Sequence, residues 1–364
     1  MKKFNSYLSI LLFFTFVVSF STSCVNSEKK AETEEQTQKV DEFDALLTHI
    51  ENTGDFINSK RVPTMIAPNV VKENLDEKIH IIDIRKDVDF NNGHIPGAVN
   101  VKMSTLIDYF ENDINPNSYS HIVMVCYTGQ SAAYATSILQ LLGYNNVYDM
   151  KWGMSSWDRN TAEQKWLKKI SNKYADQLET EANPKNNPGV YPTLNTGKTT
   201  GIEILHQRAK ELLKEGFKPN TVKNDDLFTN GGDYYIINYW PQEKYDQGHI
   251  PGAIQYDPKK SLGRATYLNT LPTDKIVVPY CYTGQHSAFV TAYLKMIGYD
   301  AKSLLFGANG FMNDLMKERG AKKWHAFSEK KIKEYEMSND GAKPASKGNA
   351  ESSGKEKIEV SGGC

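Results

Sequence analysis

The apolar positions of this chain fall into two series with the same spacing. In the first, Ile79, Ile81, Ile82 and Ile84 mark one short run, and Ile122, Val123, Met124 and Val125 mark another. The second series offers Tyr235, Ile236 and Ile237, then Ile276, Val277 and Val278. Continuous β-branched runs of this length predict parallel strands covered on both faces, because half-exposed strands alternate. A helical pattern follows each second run. Ala132, Ala135, Leu139 and Leu142 share a face and Gly143 supplies a left-handed stop; Ala288, Ala292, Met296 and Gly298 repeat the design. Strand, loop and helix in alternation predict an α/β fold, each unit an open, mostly parallel sheet flanked by helices, with the loop at the carboxyl end of a strand. Pro279 interrupts the last run. Proline cannot donate to a ladder, so that strand is expected to end or bulge there.

The two series are copies of each other. Gly93-His94-Ile95-Pro96-Gly97-Ala98 recurs as Gly248-His249-Ile250-Pro251-Gly252-Ala253, and Cys126-Tyr127-Thr128-Gly129-Gln130 recurs as Cys281-Tyr282-Thr283-Gly284-Gln285. Gly143-Tyr144 returns as Gly298-Tyr299, and every block is displaced by the same 155 residues. A period this long means two copies of one domain, not a solenoid. The predicted organisation is a first domain over 61–170, a linker over 171–197 and a second domain over 198–332. The linker is dense in turn formers from Asn183 to Gly189. Near Gly201 a helix is predicted, with Thr200 and Glu203 at capping-box spacing and Gly216 at its end.

Outside the copies the composition changes. Lys2 and Lys3 precede an apolar stretch, Tyr7 to Phe20, too short to span a bilayer comfortably. Residues 1–24 are predicted to be an export signal. Cys24 at its end resembles a lipoprotein acylation site, although Ser21 replaces the usual leucine. The expected address is the bacterial cell envelope, lipid-anchored and facing the periplasm. Residues 25–60 are predicted to be a polar tether and short helical lead-in, and 333–364 a disordered, charged tail. Lys plus Arg number 43 against 44 Asp plus Glu. That balance gives no reason to expect a nucleic-acid partner. Four cysteines, Cys24, Cys126, Cys281 and Cys364, could form two disulfides in an exported protein. Equivalent positions in two separate domains are a poor choice for such a bond.

Cys126 and Cys281 each open a polar, glycine-containing loop that leads into a helix. Backbone amides of such a loop converge on the sulfur and the helix adds partial positive charge, which favours a thiolate and lowers the thiol pKa. The same field would favour a persulfide or an oxyanion. No residue pattern suggests a metal, and none suggests a nucleotide, flavin or other cofactor.

The Gly-His-Ile-Pro-Gly-Ala block followed by Cys-x-x-Gly resembles the rhodanese family, twice, over about residues 62 to 330. Membership would imply two rhodanese-like domains and a sulfurtransferase. In that chemistry the cysteine takes a sulfane sulfur from a small donor and passes it, as a persulfide, to a thiol or cyanide-like acceptor. Cys126 and Cys281 would be the catalytic residues. Tyr127, Thr128, Gly129, Gln130 and Ser131 would form one substrate-binding loop, and Tyr282, Thr283, Gly284, Gln285 and His286 the other. Departures are visible. Many members carry Arg or Lys five places after the cysteine, where this chain has Ser131 and His286, the latter expected to act as a part-time cation. Asp83 and Arg85 resemble a buried structural pair of the family; Asn238 and Trp240 replace them in the second copy, where Asn238 is expected to bond backbone groups. Ala132 and Ser287, six places after the cysteines, leave out the arginine that cysteine phosphatases need to clamp phosphate. Among other residues, His94 and His249 read as structural turn residues, and Trp152 and Phe306 as packing beside the loops. Arg264 reads as a surface charge or a guide for an anionic donor. Two other functions stay open: a non-catalytic binding module, and a periplasmic thiol redox relay in which Cys364 is an accessory thiol.

Overall fold

A computed structural model of the chain describes residues 40–75 and 79–339. The apolar start, Cys24, the tether up to Lys39 and the tail from residue 340 on, with Cys364, lie outside the described residues, whereas 333–339, expected to be disordered, is docked on the first copy. Among the described residues no helix is long and apolar enough to cross a membrane.

The first copy contains β1 (Met65–Ile66), β2 (Ile79–Asp83), β3 (Val99–Asn100), β4 (His121–Val125) and β5 (Val147–Met150). They form one parallel sheet in the order β1-β5-β4-β2-β3. β2 and β4 are buried along four of their five residues each, which is why their sequences run apolar without alternation.

The second copy contains β6 (Thr221–Val222), β7 (Tyr234–Asn238), β8 (Ile254–Gln255), β9 (Ile276–Tyr280) and β10 (Ser303–Leu304). Here the sheet is split into β8-β7-β9 and β10-β6. A single parallel bridge, Val277 to Ala301, connects the halves. Pro279 explains the split. β9 neither ends nor bulges at the proline, contrary to the sequence expectation; it continues to Tyr280, with Pro279 opposite Ile237 of β7. The Val277 amide donates to Asp300, away from β7. Two residues on, the missing N–H of Pro279 faces the same way. The ladder lost is therefore the one toward β10, and pairing with β7 is kept.

After each cysteine comes a buried helix, Gln130–Leu141 in the first copy and Gln285–Met296 in the second. Both are apolar or small nearly all round, because each lies between its own sheet and the other copy's helix. The Ser137 hydroxyl donates to the Phe289 carbonyl at 3.0 Å across that contact. Gly143 (φ 97°) and Gly298 (φ 99°) end the helices in the left-handed region. The lead-in helix Glu42–Asn52 packs on Gly201–Glu215, whose predicted capping box and Gly216 cap are both formed. A Cβ at Gly201 would sit 2.4 Å from the Ala45 carbonyl, so this crossing requires glycine.

The copies also exchange their trailing segments. Past the short helix Trp166–Lys169, the chain crosses to the second copy. There Ser171 donates to Asn309 and accepts from Asn313, and Glu179 bridges His249. The segment at the end of the second copy returns to the first. Lys333 and Tyr335 donate to the carbonyls of Ser156 and Trp157, and Ser338 bridges His94.

Candidate active site

Each cysteine stands where a central strand stops and a helix begins. Gly129 (φ 86°) and Gly284 (φ 80°) turn the loops into the helices. The Cys126 sulfur accepts from the amides of Gly129 (3.2 Å) and Ala132 (3.4 Å). The Cys281 sulfur accepts from Ser287 N at 3.3 Å, with the Ser287 hydroxyl at 3.8 Å. A second layer fixes the loops from outside. Met154 N donates to the Cys126 carbonyl at 2.8 Å, and Ala308 N to the Cys281 carbonyl at 3.0 Å. Neither cysteine is half of a disulfide.

The converging amides are present, but they do not make Cys126 acidic. Burial, followed by the charge of Asp149, pushes its thiol up to about 11, against the opposing pull of the Ala132, Thr128 and Gly129 amides. The expected low pKa is therefore corrected: desolvation outweighs the loop dipoles in the closed cradle.

The two loops lock into each other. Gln285 Oε1 accepts from Trp152 N at 3.0 Å, and Gln130 Oε1 accepts from Phe306 N at 2.8 Å. Trp152 (φ 70°) and Phe306 (φ 65°) are left-handed non-glycine residues, each pinned by the opposite copy's glutamine. Gln285 Nε2 also donates to Asp149 Oδ2, whereas Gln130 Nε2 reaches Thr128 of its own loop. A Cβ at Gly129 would lie 2.2 Å from Gln285 Nε2, and one at Gly284 2.4 Å from Gln130 Oε1. The sequence placed these glutamines in the loops but gave no sign that they cross between copies, since the crossing depends on how the two helices pack.

The mouths of the loops differ. Beside Tyr127 opens a polar cavity of about 280 Å³, lined in part by Arg85, Asp89, Asn92, Lys165 and Met337. Lys165 Nζ lies 4.6 Å from the centre of the Tyr127 ring, and the Tyr127 hydroxyl donates to Asp89. Arg85 forks onto Asp83 and donates to the Gly93 carbonyl. In the second copy the matching positions hold Trp240, Lys244 and Tyr282. Tyr282 stacks on Trp240 at 4.9 Å, and Trp324 packs edge-on against Trp240. Aromatic rings thus pack together at positions whose counterparts in the first copy, Arg85 and Tyr127, line a cavity. Tyr282 is 3% exposed and Cys281 0%.

Other sequence expectations meet mixed outcomes. His286 is fully buried edge-on against Tyr239, and both its ring nitrogens lack partners. Burial lowers its pKa to about 3, so the expected part-time cation is neutral at physiological pH. Ser131 is half-buried at the start of its helix, while Thr283 is buried and supports its own loop by accepting from Gln285 N. The Thr128 carbonyl accepts from the Trp166 indole. Asn238 bonds the Tyr280 hydroxyl rather than backbone. Arg264 is ion-paired with Asp44 and Glu51 of the lead-in helix, which fixes it as a structural charge and removes it as a donor guide. His94 and His249 bond the carbonyls of Phe90 and Tyr245 through Nδ1, as expected of turn residues.

Comparison with known proteins agrees with this arrangement. The Rhodanese-like domain model matches residues 67–160 and 225–314. Thiosulfate sulfurtransferase GlpE of Shewanella oneidensis is 34% identical over 87 residues, covering 24% of this chain and 82% of the relative. The tRNA uridine(34) hydroxylase of Buchnera aphidicola is 26% identical over 127 residues, covering 33% of this chain and only 39% of the hydroxylase. The crystal structure of a rhodanese-like domain protein from Staphylococcus aureus is 27% identical, with a TM-score of 0.22, covering 25% of this chain and 87% of that one. Two matched domains in one register, each with its cysteine at a strand end, make this chain a tandem member of the rhodanese-like domain family.

Proposed function

We propose that the protein is a sulfurtransferase whose working sulfur carrier is Cys126. One observation supports this above all: the Cys126 sulfur sits in a cradle of backbone amides and the residue after it, Tyr127, lines an open polar cavity, whereas the matching Tyr282 is stacked on Trp240 and packed against Trp324. The Cys126 thiolate attacks the outer sulfur of a sulfane donor. A sulfur–sulfur bond forms to Cys126, the donor's own sulfur bond breaks, and its electron pair leaves with the remainder, which is sulfite if the donor is thiosulfate. The persulfide anion then rests on the amides of Gly129 and Ala132. A thiol or cyanide attacks the outer sulfur and returns Cys126 to the thiolate. Lys165 at the rim of the cavity offers a positive charge to an anionic donor, beside the carboxylates of Asp89 and Asp158.

The test is sulfur transfer from thiosulfate to cyanide by purified protein. Cys126→Ser abolishes the activity, and Cys281→Ser retains most of it. Activity that survives Cys126→Ser overturns the assignment. Full inactivity of the native protein with thiosulfate, glutathione persulfide and mercaptopyruvate favours the binding-module reading.

A further inference from the structure

Behind Cys126 the structure buries a carboxyl group that the sulfur-transfer scheme does not use. Asp149 lies on β5, paired with Met124 of β4, and is 0% exposed. Its Oδ1 has no hydrogen-bond partner, and its Oδ2 accepts from Gln285 Nε2. A buried carboxyl oxygen left unsatisfied is costly and asks for an explanation. The second copy does not repeat it. The strand position beside Cys281 holds Ser303, whose hydroxyl bonds Ser287 at 2.9 Å, and Gln130 turns to Thr128 instead of an acid. A feature found in one copy only, at the copy with the open cavity, is not needed for the fold.

We propose that Asp149 governs how readily Cys126 becomes a nucleophile, and that Gln285, reaching in from the second cysteine loop, holds it in that role. This rests on Cys126 being the reactive sulfur. The groups facing Asp149 are Cys126, Gln285 and, at the end of β5, Lys151, which also contacts His325. An ionised Asp149 opposes a second negative charge on Cys126. A protonated Asp149 does not. Burial holds the Asp149 carboxyl well above the usual carboxylate range, against the opposing pull of the Gln285 donor and Lys151. Gln285 therefore draws the ionisation of Asp149 back toward the working range, and wherever the carboxyl is ionised Cys126 is held as a thiol. When the second loop shifts and Gln285 withdraws, Asp149 takes up a proton and the opposition to the thiolate ends. The two copies then act as one linked site, the sealed loop tuning the open one.

Alkylation of the full chain by iodoacetamide, followed at the Cys126 peptide by mass spectrometry from pH 6 to 11, tests the proposal. In the native protein the rate climbs with pH toward a midpoint of about 11. Asp149→Asn moves the midpoint down, and Cys126 reacts faster on the alkaline side of the profile, where the native carboxyl is ionised. Should that variant fold poorly, Asp149→Ser, the residue type found at Ser303, gives the same reading. Gln285→Leu also accelerates Cys126, and adds nothing to Asp149→Asn in the double variant, because both act through the one carboxylate. An unchanged profile in folded Asp149→Asn, or additive effects of the two substitutions, overturns the proposal. Alkylation requires no sulfur transfer. Protein that alkylates as described but takes up no sulfur sinks the sulfurtransferase reading and leaves this one standing.

Discussion

At the scale of single residues, environment decides chemistry more than identity does. Cys126 has the amide cradle that its loop sequence implies, yet burial and Asp149 make it a weak acid. His286 stands where a cation was expected and is neutral for the same reason, removal from water. Lys165 is different, because it is half-buried at the cavity rim with its ammonium over the Tyr127 ring. Its Coulomb contribution to an anionic donor is that of a partly exposed charge, about 0.2–1 kcal/mol. Lys165→Ala is therefore expected to raise KM for thiosulfate by no more than about fivefold at low salt, leave kcat unchanged, and lose its effect at high salt. Steady-state kinetics at two ionic strengths check this; a fall in kcat at constant KM counts against a binding role for Lys165. The cysteines, the glycines and the strand ends were legible in the sequence because the repeat displays them twice. Asp149 was not, since nothing in Val147-Tyr148-Asp149-Met150 marks one strand residue as the neighbour of a sulfur on another strand.

Among the elements, two similar loops are made different by what packs over them. Trp324, on the turn after the helix Asn313–Glu318, closes the second mouth by meeting Trp240 and Tyr282. Arg319 and Lys244 lie about 5 Å from its ring and hold it further. Trp324→Ala empties that space. It is expected to bring Cys281 alkylation into the range of Cys126, at a stability cost of about 3–5 kcal/mol for a fully buried tryptophan. Trp324→Leu, which keeps part of the packing, gives a smaller change of the same sign. Unchanged Cys281 reactivity in folded Trp324→Ala shows that the ring is not the barrier. Pro279 is the other element-scale difference. The lost donor could be foreseen, but the expected end or bulge did not follow, because the missing N–H faces β10 and leaves the pairing with β7 intact.

On the scale of the whole molecule, the copies are exchanged rather than merely joined. Helix packs on helix, each glutamine reaches the segment after the other copy's last strand, and each trailing segment bonds loops and helices of the opposite copy. The sequence showed two domains but read 171–197 as a linker, because turn-rich composition does not reveal where a segment docks. Protein ending at residue 332 loses the pairing of Lys333, Tyr335 and Ser338 with the first copy. Compared with protein ending at 339, it is expected to melt at a lower temperature, in a single transition; two separate transitions contradict mutual support. Acid is expected to destabilise the whole body. His80, His286 and His325 are lowered by burial to about 4, 3 and 3 respectively. Their folded pKa values lie below the unfolded one, about 6.5. Stability from keeping them neutral is present above that value and is lost as pH falls toward 3–4. Urea midpoints at pH 7 and pH 5 measure the loss, which His286→Phe is expected to reduce. The central claim, that the open copy carries the sulfur, is tested most directly by giving the native protein a sulfane donor and weighing the peptides that contain each cysteine. The account predicts one added sulfur on Cys126 and none on Cys281. Sulfur found on Cys281 with Cys126 unmodified contradicts it.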